Sequence, residues 1–428
     1  MLLAARGTSA QTRLQQDALD NLQARSNVVQ GAGARAFGMG GAFLARPDDA
    51  TAASWNPAGL SYLRSPEVSL VGAHATLAIL QKDSDANTTR EDRQSGRAPD
   101  FLAGTYPFAI GSIDGAAQLS FQRVISFDGT RTIQSATSVR QFEAVGGFDV
   151  IAFGSGLHWS RKLRAGFTLN RWLNGYSYTS ERVGRAPTRQ TLDLDFSGWN
   201  VNLGLIWSPM EQLNLGAVYK TGFSADVDLN RGRTDFGTVV TSNQFQSSAV
   251  RLRFPAAFGL GASWRPSAPL TLSADYTRTD WSNGRIYDYF TLPPSGAPTA
   301  PEDRFDELLY PTLVPGLTQV DTQQLRVGVE YVVIKSRVKW PLRLGYFADR
   351  QLFQTFNAST NLRDQTPLYN GFTAGTGLII GRVLIDVAYV SEGGSYRDAD
   401  PEADDPSPSN NTVRSHRVFV SLIYRHKH

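Results

Sequence analysis

The sequence predicts an all-β protein, a 14-stranded antiparallel transmembrane β-barrel with an N-terminal hatch, or plug, containing short helices. Three observations carry this. Beyond about residue 66 the chain alternates with period two. The connections between the alternating runs are in turn very short and long. A glycine-rich stretch ending in Trp55-Asn56-Pro57-Ala58-Gly59-Leu60 precedes the first run and has no such alternation. The expected division is a segment and hatch over 1–62 and a barrel over 63–428.

The period-two runs have faces of different kinds. Trp199, Val201, Leu203, Leu205 and Trp207 alternate with Asn200, Asn202 and Gly204, and Leu325, Val327, Val329 and Tyr331 alternate with Gln324, Arg326, Gly328 and Glu330. Charges repeated on one face would cost several kcal/mol each in a dry sandwich core unless paired. A hydrated lumen removes that cost. The runs number about fourteen, at roughly 67–80, 101–109, 115–127, 141–159, 163–180, 191–207, 213–229, 248–265, 270–281, 322–333, 338–351, 369–380, 382–392 and 411–425. Many exceed the ~9–11 residues that a tilted strand needs to cross a membrane.

Connections at 160–162, 208–212, 266–269, 334–337 and near 381 are short, whereas 82–100, 128–140, 181–190, 230–247, 282–321, 352–368 and 393–410 are long and polar. Tight periplasmic turns and larger outer loops are the pattern of an outer-membrane barrel. Trp159, Trp207, Trp264 and Trp340 lie within a few residues of the short turns and read as an aromatic girdle. No uncharged stretch can cross as a helix, since Gly371 to Val390 is broken by Arg382 and Asp386.

Ahead of the barrel, Leu14, Ala18 and Leu22 predict a short amphipathic helix over Thr12 to Ala24, and Thr8-Ser9-Ala10 before Gln11 resembles the end of a cleavable signal. Gly31 to Gly41 is expected to be irregular. Pro47-Asp48-Asp49 should cap a helical turn over Ala50 to Ser54, ended where Asn56 precedes Pro57.

Composition excludes several functions. Cysteine is absent, which removes disulfides, thiolate metal sites and cysteine nucleophiles together. A net charge of +3 without a clustered basic stripe argues against nucleic acid. Gly31 and Gly33 lack the third glycine of a dinucleotide fingerprint, since position 36 is Ala36. His74, His158, His416, His426 and His428 are scattered without zinc spacing, and Gly154-Ser155-Gly156 sits within a strand pattern, not at a nucleophile elbow. The expectation is no enzyme, no cofactor and no metal. Asp398, Asp400, Glu402, Asp404 and Asp405 read as a solvated acidic loop, with a weak role in bridging cations to lipid headgroups the runner-up reading. The insert 282–321, with Pro293-Pro294-Ser295-Gly296 and Phe305-Asp306-Glu307-Leu308-Leu309-Tyr310, could fold over the mouth as an apolar landing surface or pack on its neighbours.

Gly33 to Leu60, with its Asn56-Pro57-Ala58 step, resembles the hatch of the FadL/TodX family of outer-membrane transporters for long-chain fatty acids and hydrocarbons. Phe254-Pro255-Ala256, Leu260-Gly261, Trp264-Arg265-Pro266 and Leu270 to Ser282 are similar to a strand pair of the same family. The resemblance implies a monomer in the bacterial outer membrane, in contact with its lipid and lipopolysaccharide. Its hatch occludes a barrel that captures a long-chain fatty acid or other hydrophobic ligand, and the ligand escapes sideways at a kinked strand. On that reading Asn56, Pro57 and Ala58 with Gly38, Gly40 and Gly41 form the hatch gate. Arg164, Arg251, Arg253 and Arg326 are candidates for a carboxylate head group, with pairing to Asp275, Glu330 and Asp386 the structural alternative. The chain departs from the family in ending on Arg425-His426-Lys427-His428 rather than an aromatic residue, and in having no Gly or Pro within Ala116 to Phe127, where a kink would be sought. A rival reading is a shuttle for secreted proteins similar to PorV of the type IX secretion system, whose hatch segment is nearly the same.

Overall fold

The computed structural model describes the chain except residues 1–30, 83–88, 135–137, 185–186, 237–239, 284, 289–319, 336–337, 353, 358–361, 399–408 and 427–428. The expected helix over Thr12 to Ala24, the cleavage-like site, most of the 282–321 insert and the acidic residues Asp400 to Asp405 lie outside the described residues.

Nineteen strand segments form one sheet. They run β1 (Glu67–Lys82), β2 (Thr89–Ile110), β3 (Ile113–Ser126), β4 (Gly129–Gln134), β5 (Ser138–Ser160), β6 (Leu163–Leu173), β7 (Gly175–Gly184), β8 (Thr188–Met210), β9 (Leu213–Lys220) and β10 (Phe223–Phe236). After these come β11 (Val240–Phe254), β12 (Ala257–Ser267), β13 (Leu270–Thr279), β14 (Arg285–Asp288), β15 (Thr322–Lys335) and β16 (Val338–Arg350). A small hairpin, β17 (Thr355–Phe356) with β18 (Arg363–Gln365), stands apart, and β19 (Leu368–Ile380), β20 (Val383–Asp398) and β21 (Ser409–Arg425) complete the wall. Five staves are interrupted, so that β3 continues in β4, β6 in β7, β9 in β10, β11 in β12 and β13 in β14. The wall is thus a closed antiparallel barrel of 14 strands, sealed where β21 pairs with β1 from Glu67↔Arg425 to Lys82↔Asn410. Closure removes every edge, which is the condition for a sheet to cross lipid.

The side chains confirm what faces lipid. Leu203, Leu205, Leu260, Val327, Leu344, Ile385 and Leu422 are all exposed on the outer face, a belt too large for a water-facing surface. Trp159, Trp207, Trp264 and Trp340 are exposed too, each close to a short turn, as an interfacial girdle requires.

Two expectations change. The segments 89–100, 129–134, 230–236 and 240–247 are strand, not loop, because backbone pairing extends the ladder into stretches whose side chains carry no apolar alternation. Gly31 to Gly41 is not wholly irregular: α1 (Ala34–Gly38) is a five-residue helix, its Ala-Arg-Ala-Phe run being a better helix former than the flanking glycines. A second helix, α2 (Ala52–Trp55), follows, then a 3-10 turn at Pro57–Tyr62. Asn56 between them is extended, with φ −145° and ψ 109°, as a residue before proline should be.

Candidate functional site

The hatch fills the bore toward the short-turn end, and the wall makes room for it with glycine. Inward glycines pair across neighbouring staves, Gly156 with Gly166 and Gly166 with Gly204, Gly261 with Gly216, and Gly328 with Gly345. A Cβ at Gly156, Gly166 or Gly204 would meet the Asn56-Pro57-Ala58 step, at Gly216 Leu44 and Ala45, and at Gly328 or Gly345 the Met39-Gly40 backbone. Glycine within a strand often marks close backbone approach. Here a whole band of the wall is bare for that reason.

Hatch and wall then satisfy one another's polar groups. Asn56, fully buried, accepts from Ala58 N at 3.1 Å and donates through Nδ2 to Leu44 O at 2.8 Å and to the wall carbonyls of Leu205 and Ala217 at 3.2 and 3.3 Å. Asp275 accepts Phe43 N and Leu44 N at 2.6 and 2.8 Å. Thr373 binds both Gly40 N and Gly38 O, Ser421 takes Ala34 N, and Gln118 donates to Ala50 O. Gly40 and Gly41 have φ of 69° and 77°, a region that side chains avoid. So the lumen at this level is packed protein, with an apolar core of Phe37, Met39, Phe43 and Trp55 against Phe347 and Phe419, and its inward polar groups are met by hatch backbone or by one another.

One side carries a chain of ion pairs. Arg35 binds Asp48 at 2.5 Å and both oxygens of Glu330 at 3.0 and 3.1 Å, while Arg343 joins Glu330 at 2.7 Å to Asp386 at 2.6 Å. Burial alone would push the Asp48 carboxyl up, but Arg35 and Arg46 outweigh it and hold it below the usual carboxylate range. Burial does push Asp49 up, against the pull of Arg35 and the bonds from Thr51.

Beyond the hatch, toward the long-hairpin end, the lumen turns aromatic. Trp172, Phe223 and Phe254 stack in series with centroids 5.2 and 5.0 Å apart, and Phe148 stacks on Phe196 at 4.4 Å. Trp172, Phe223, Phe254 and Trp281 line a chamber of about 90 Å³. A second chamber of about 170 Å³ reaches from Phe37 of the hatch to the first three staves, and Gln122 and Val124 line both.

That second chamber meets a break in the wall. Between β2 and stave three the ladder runs to Phe101↔Gln122 and resumes only at Ser95↔Thr130. The kink needs no glycine or proline within Ala116 to Phe127, and the stave's own glycine at the break, Gly129, comes just beyond, where an added Cβ would meet the Gln94 side chain. Asp128 builds it, accepting from Arg123 Nη1 at 2.9 Å, Ser126 Oγ at 2.8 Å and Gly146 N at 2.8 Å, while Arg123 also grips Asp149. Further glycines are on the neighbours: Gly146 has φ 110°, and a Cβ at Gly96 or Gly147 would strike the Asp128 or Ile125 carbonyl.

The four arginines do not converge. Arg164 stacks on Tyr62 at 4.1 Å near the short-turn end, Arg251 pairs with Asp226 at 2.8 Å, and Arg253 is exposed. Arg326 is buried, donating to Gly40 O at 3.1 Å and to Asp349 at 3.0 Å, not to Asp275. Among the described residues no group of three His, Cys, Asp or Glu could hold a metal ion.

Neither a protein-family model nor a curated protein matches the chain by sequence. Solved structures match by shape. A Pseudomonas aeruginosa FadL homologue superposes with a TM-score of 0.65 at 13% identity, covering 93% of this chain and 99% of its own. The toluene transporters TodX of P. putida and TbuX of Ralstonia pickettii superpose with TM-scores of 0.62 and 0.60 at 14% and 15% identity. They cover 94% and 93% of this chain and 100% and 99% of their own. At such identities the likeness establishes the fold, and the chain folds as a FadL/TodX-type barrel.

Proposed function

We propose that the chain is a bacterial outer-membrane protein that takes up hydrophobic molecules passively through a hatch-occluded barrel, working as a monomer. The observation that carries this reading is the sequence of spaces. An aromatic chamber lies above a hydrogen-bonded hatch, it adjoins a second chamber at Gln122 and Val124, and that chamber meets the unpaired stretch between staves two and three. An apolar cavity with few polar groups is the ordinary form of a small-molecule site. A wall break there lets cargo leave sideways into lipid without crossing the hatch or needing an energy source. The toluene transporters of the same fold support this cargo class, and long-chain fatty acids and hydrocarbons both fall within it.

In this scheme Asn56, Pro57, Ala58, Gly38, Gly40 and Gly41 keep the axial path shut. Pro57 fixes φ and has no donor to bury, while Asn56 supplies the bonds to the wall. Arg164, Arg251, Arg253 and Arg326 serve structure, three of them through the contacts described and Arg253 at the exposed hairpin.

The test is uptake of labelled toluene and labelled palmitate by cells lacking their own uptake barrels and expressing this chain. Uptake of either above the empty-vector rate, abolished by a disulfide across the wall break, is expected. Uptake of neither, with a folded barrel that instead co-purifies with a secreted protein's terminal domain, would replace this reading by the PorV-like shuttle.

A further inference from the structure

Three buried polar atoms in the second chamber find no hydrogen-bond partner among the described residues: Asp100 Oδ2, Glu392 Oε1 and Arg417 Nε. All three side chains line that one cavity. The Glu392 side chain is only 3% exposed, and its other oxygen accepts Arg417 Nη2 at 3.2 Å. Around them the lining is largely apolar, with Phe37, Ala73, Leu77, Pro99 and Val124. Native interiors leave few such atoms unsatisfied. Three facing one space mark a place that something else completes.

The wall puts Asp100 there by design of its register. β1 pairs Val71 with Phe101 and Gly72 with Pro99, so Asp100 is the extra residue of a bulge, a device that re-aims a side chain. It lies where the ladder to stave three has lapsed, at the mouth of the wall break.

The geometry points to a head-group site: this chamber takes the polar end of a hydrophobic molecule that carries a hydrogen-bond-donating hydroxyl or amino group. Its apolar body lies past Gln122 and Val124 among the aromatic rings. A hydroxyl fits the set, accepting from Arg417 Nε and donating to Asp100 or Glu392, and an amine donates to both acids. A carboxylate does not fit, because it has no donor to offer Asp100 or Glu392, and the two arginines that line the chamber are already engaged, Arg417 with Glu392 and Arg123 with Asp128 and Asp149. A plain hydrocarbon leaves all three atoms bare. The inference rests on the uptake reading and narrows its cargo.

The test uses the full chain in lipid nanodiscs and a matched series of probes: dodecanol, dodecylamine, dodecanoate and dodecane, with binding read by competition against a fluorescent apolar probe. Dodecanol and dodecylamine are expected to bind about tenfold more tightly than dodecanoate and dodecane. Asp100→Asn with Glu392→Gln, in a barrel still folded by its heat-shifted gel mobility, is expected to narrow the gap to dodecanoate and leave dodecane unchanged. Dodecanoate or dodecane binding as tightly as dodecanol in the unaltered chain overturns the head-group site but not the uptake of apolar cargo. Binding of none of the four overturns both.

Discussion

Replacing Asn56 by alanine removes the side chain that rivets the hatch to staves six and seven. Three kinds of bond go: the one accepted from Ala58 N, the one donated to Leu44 O, and the shared pair to the wall carbonyls of Leu205 and Ala217. Only the last joins hatch to wall, so at about 1 kcal/mol net for that bond, with a 1.4 kcal/mol change being tenfold, the open population rises about fivefold. Single-channel recording in planar bilayers reads this as the fraction of time that current flows. Asn56→Asp sharpens the test, since it keeps the acceptor for Ala58 N but turns an acceptor toward three carbonyls, and it should open the barrel at least as much as alanine. If both variants fold and neither conducts more than the unaltered chain, Asn56 does not hold the hatch.

Gly345→Val drives a side chain into the Met39-Gly40 backbone and should cost about 1–3 kcal/mol of hatch seating, seen as faster cleavage at Arg35 by an arginine-specific protease. Gly72→Val, where an added Cβ meets nothing within 4 Å, should leave that rate unchanged. Arg35→Ala breaks part-buried ion pairs with Asp48 and Glu330 and should weaken seating by about 1.5–3 kcal/mol, with openings in bilayer recordings to match. The two hatch acids act with opposite sign. The Asp48 carboxyl is held low, so its stabilisation is complete above the ordinary carboxylate pKa and lost as pH falls through its lowered value. Asp49 is held high, so its ionisation works against seating as pH rises past the ordinary value. Asp49→Asn, which can still accept from Thr51, should therefore reduce openings a few-fold at pH 7 and make little difference in strong acid. Asp128→Ala should release the kink of stave three and lower uptake of apolar cargo several-fold without raising conductance.

Much of this was legible in residue order. Strand alternation, the short turns, the tryptophan girdle and the Asn56-Pro57 step all follow from local rules, because lipid on one face and tight turns at one end write themselves into neighbouring residues. The hatch seat was hidden in plain sight as inward glycines at Gly156, Gly166, Gly204, Gly216, Gly261, Gly328 and Gly345, one step of alternation from the lipid-facing residues. Reading them as a band requires knowing register, which no single strand supplies. Trp172 and Phe196 gave a fainter signal, as aromatics on a face that is polar at Asn170 and Asn200. The break beside stave three left none within Ala116 to Phe127, since Asp128, with Gly129 after it and glycines on other strands, makes it. Asp100 likewise became notable only once pairing with β1 showed it to be a bulge.

The most direct measurement is a structure of the barrel in lipid with a bromine-labelled dodecanol, located by anomalous scattering. With the hatch still seated, bromine is expected among Trp172, Phe223 and Phe254 and the hydroxyl end near Asp100 and Glu392, beside the gap between staves two and three. Bromine found only on the outer belt, or along an axial path with Asn56 displaced and both chambers empty, would contradict that placement.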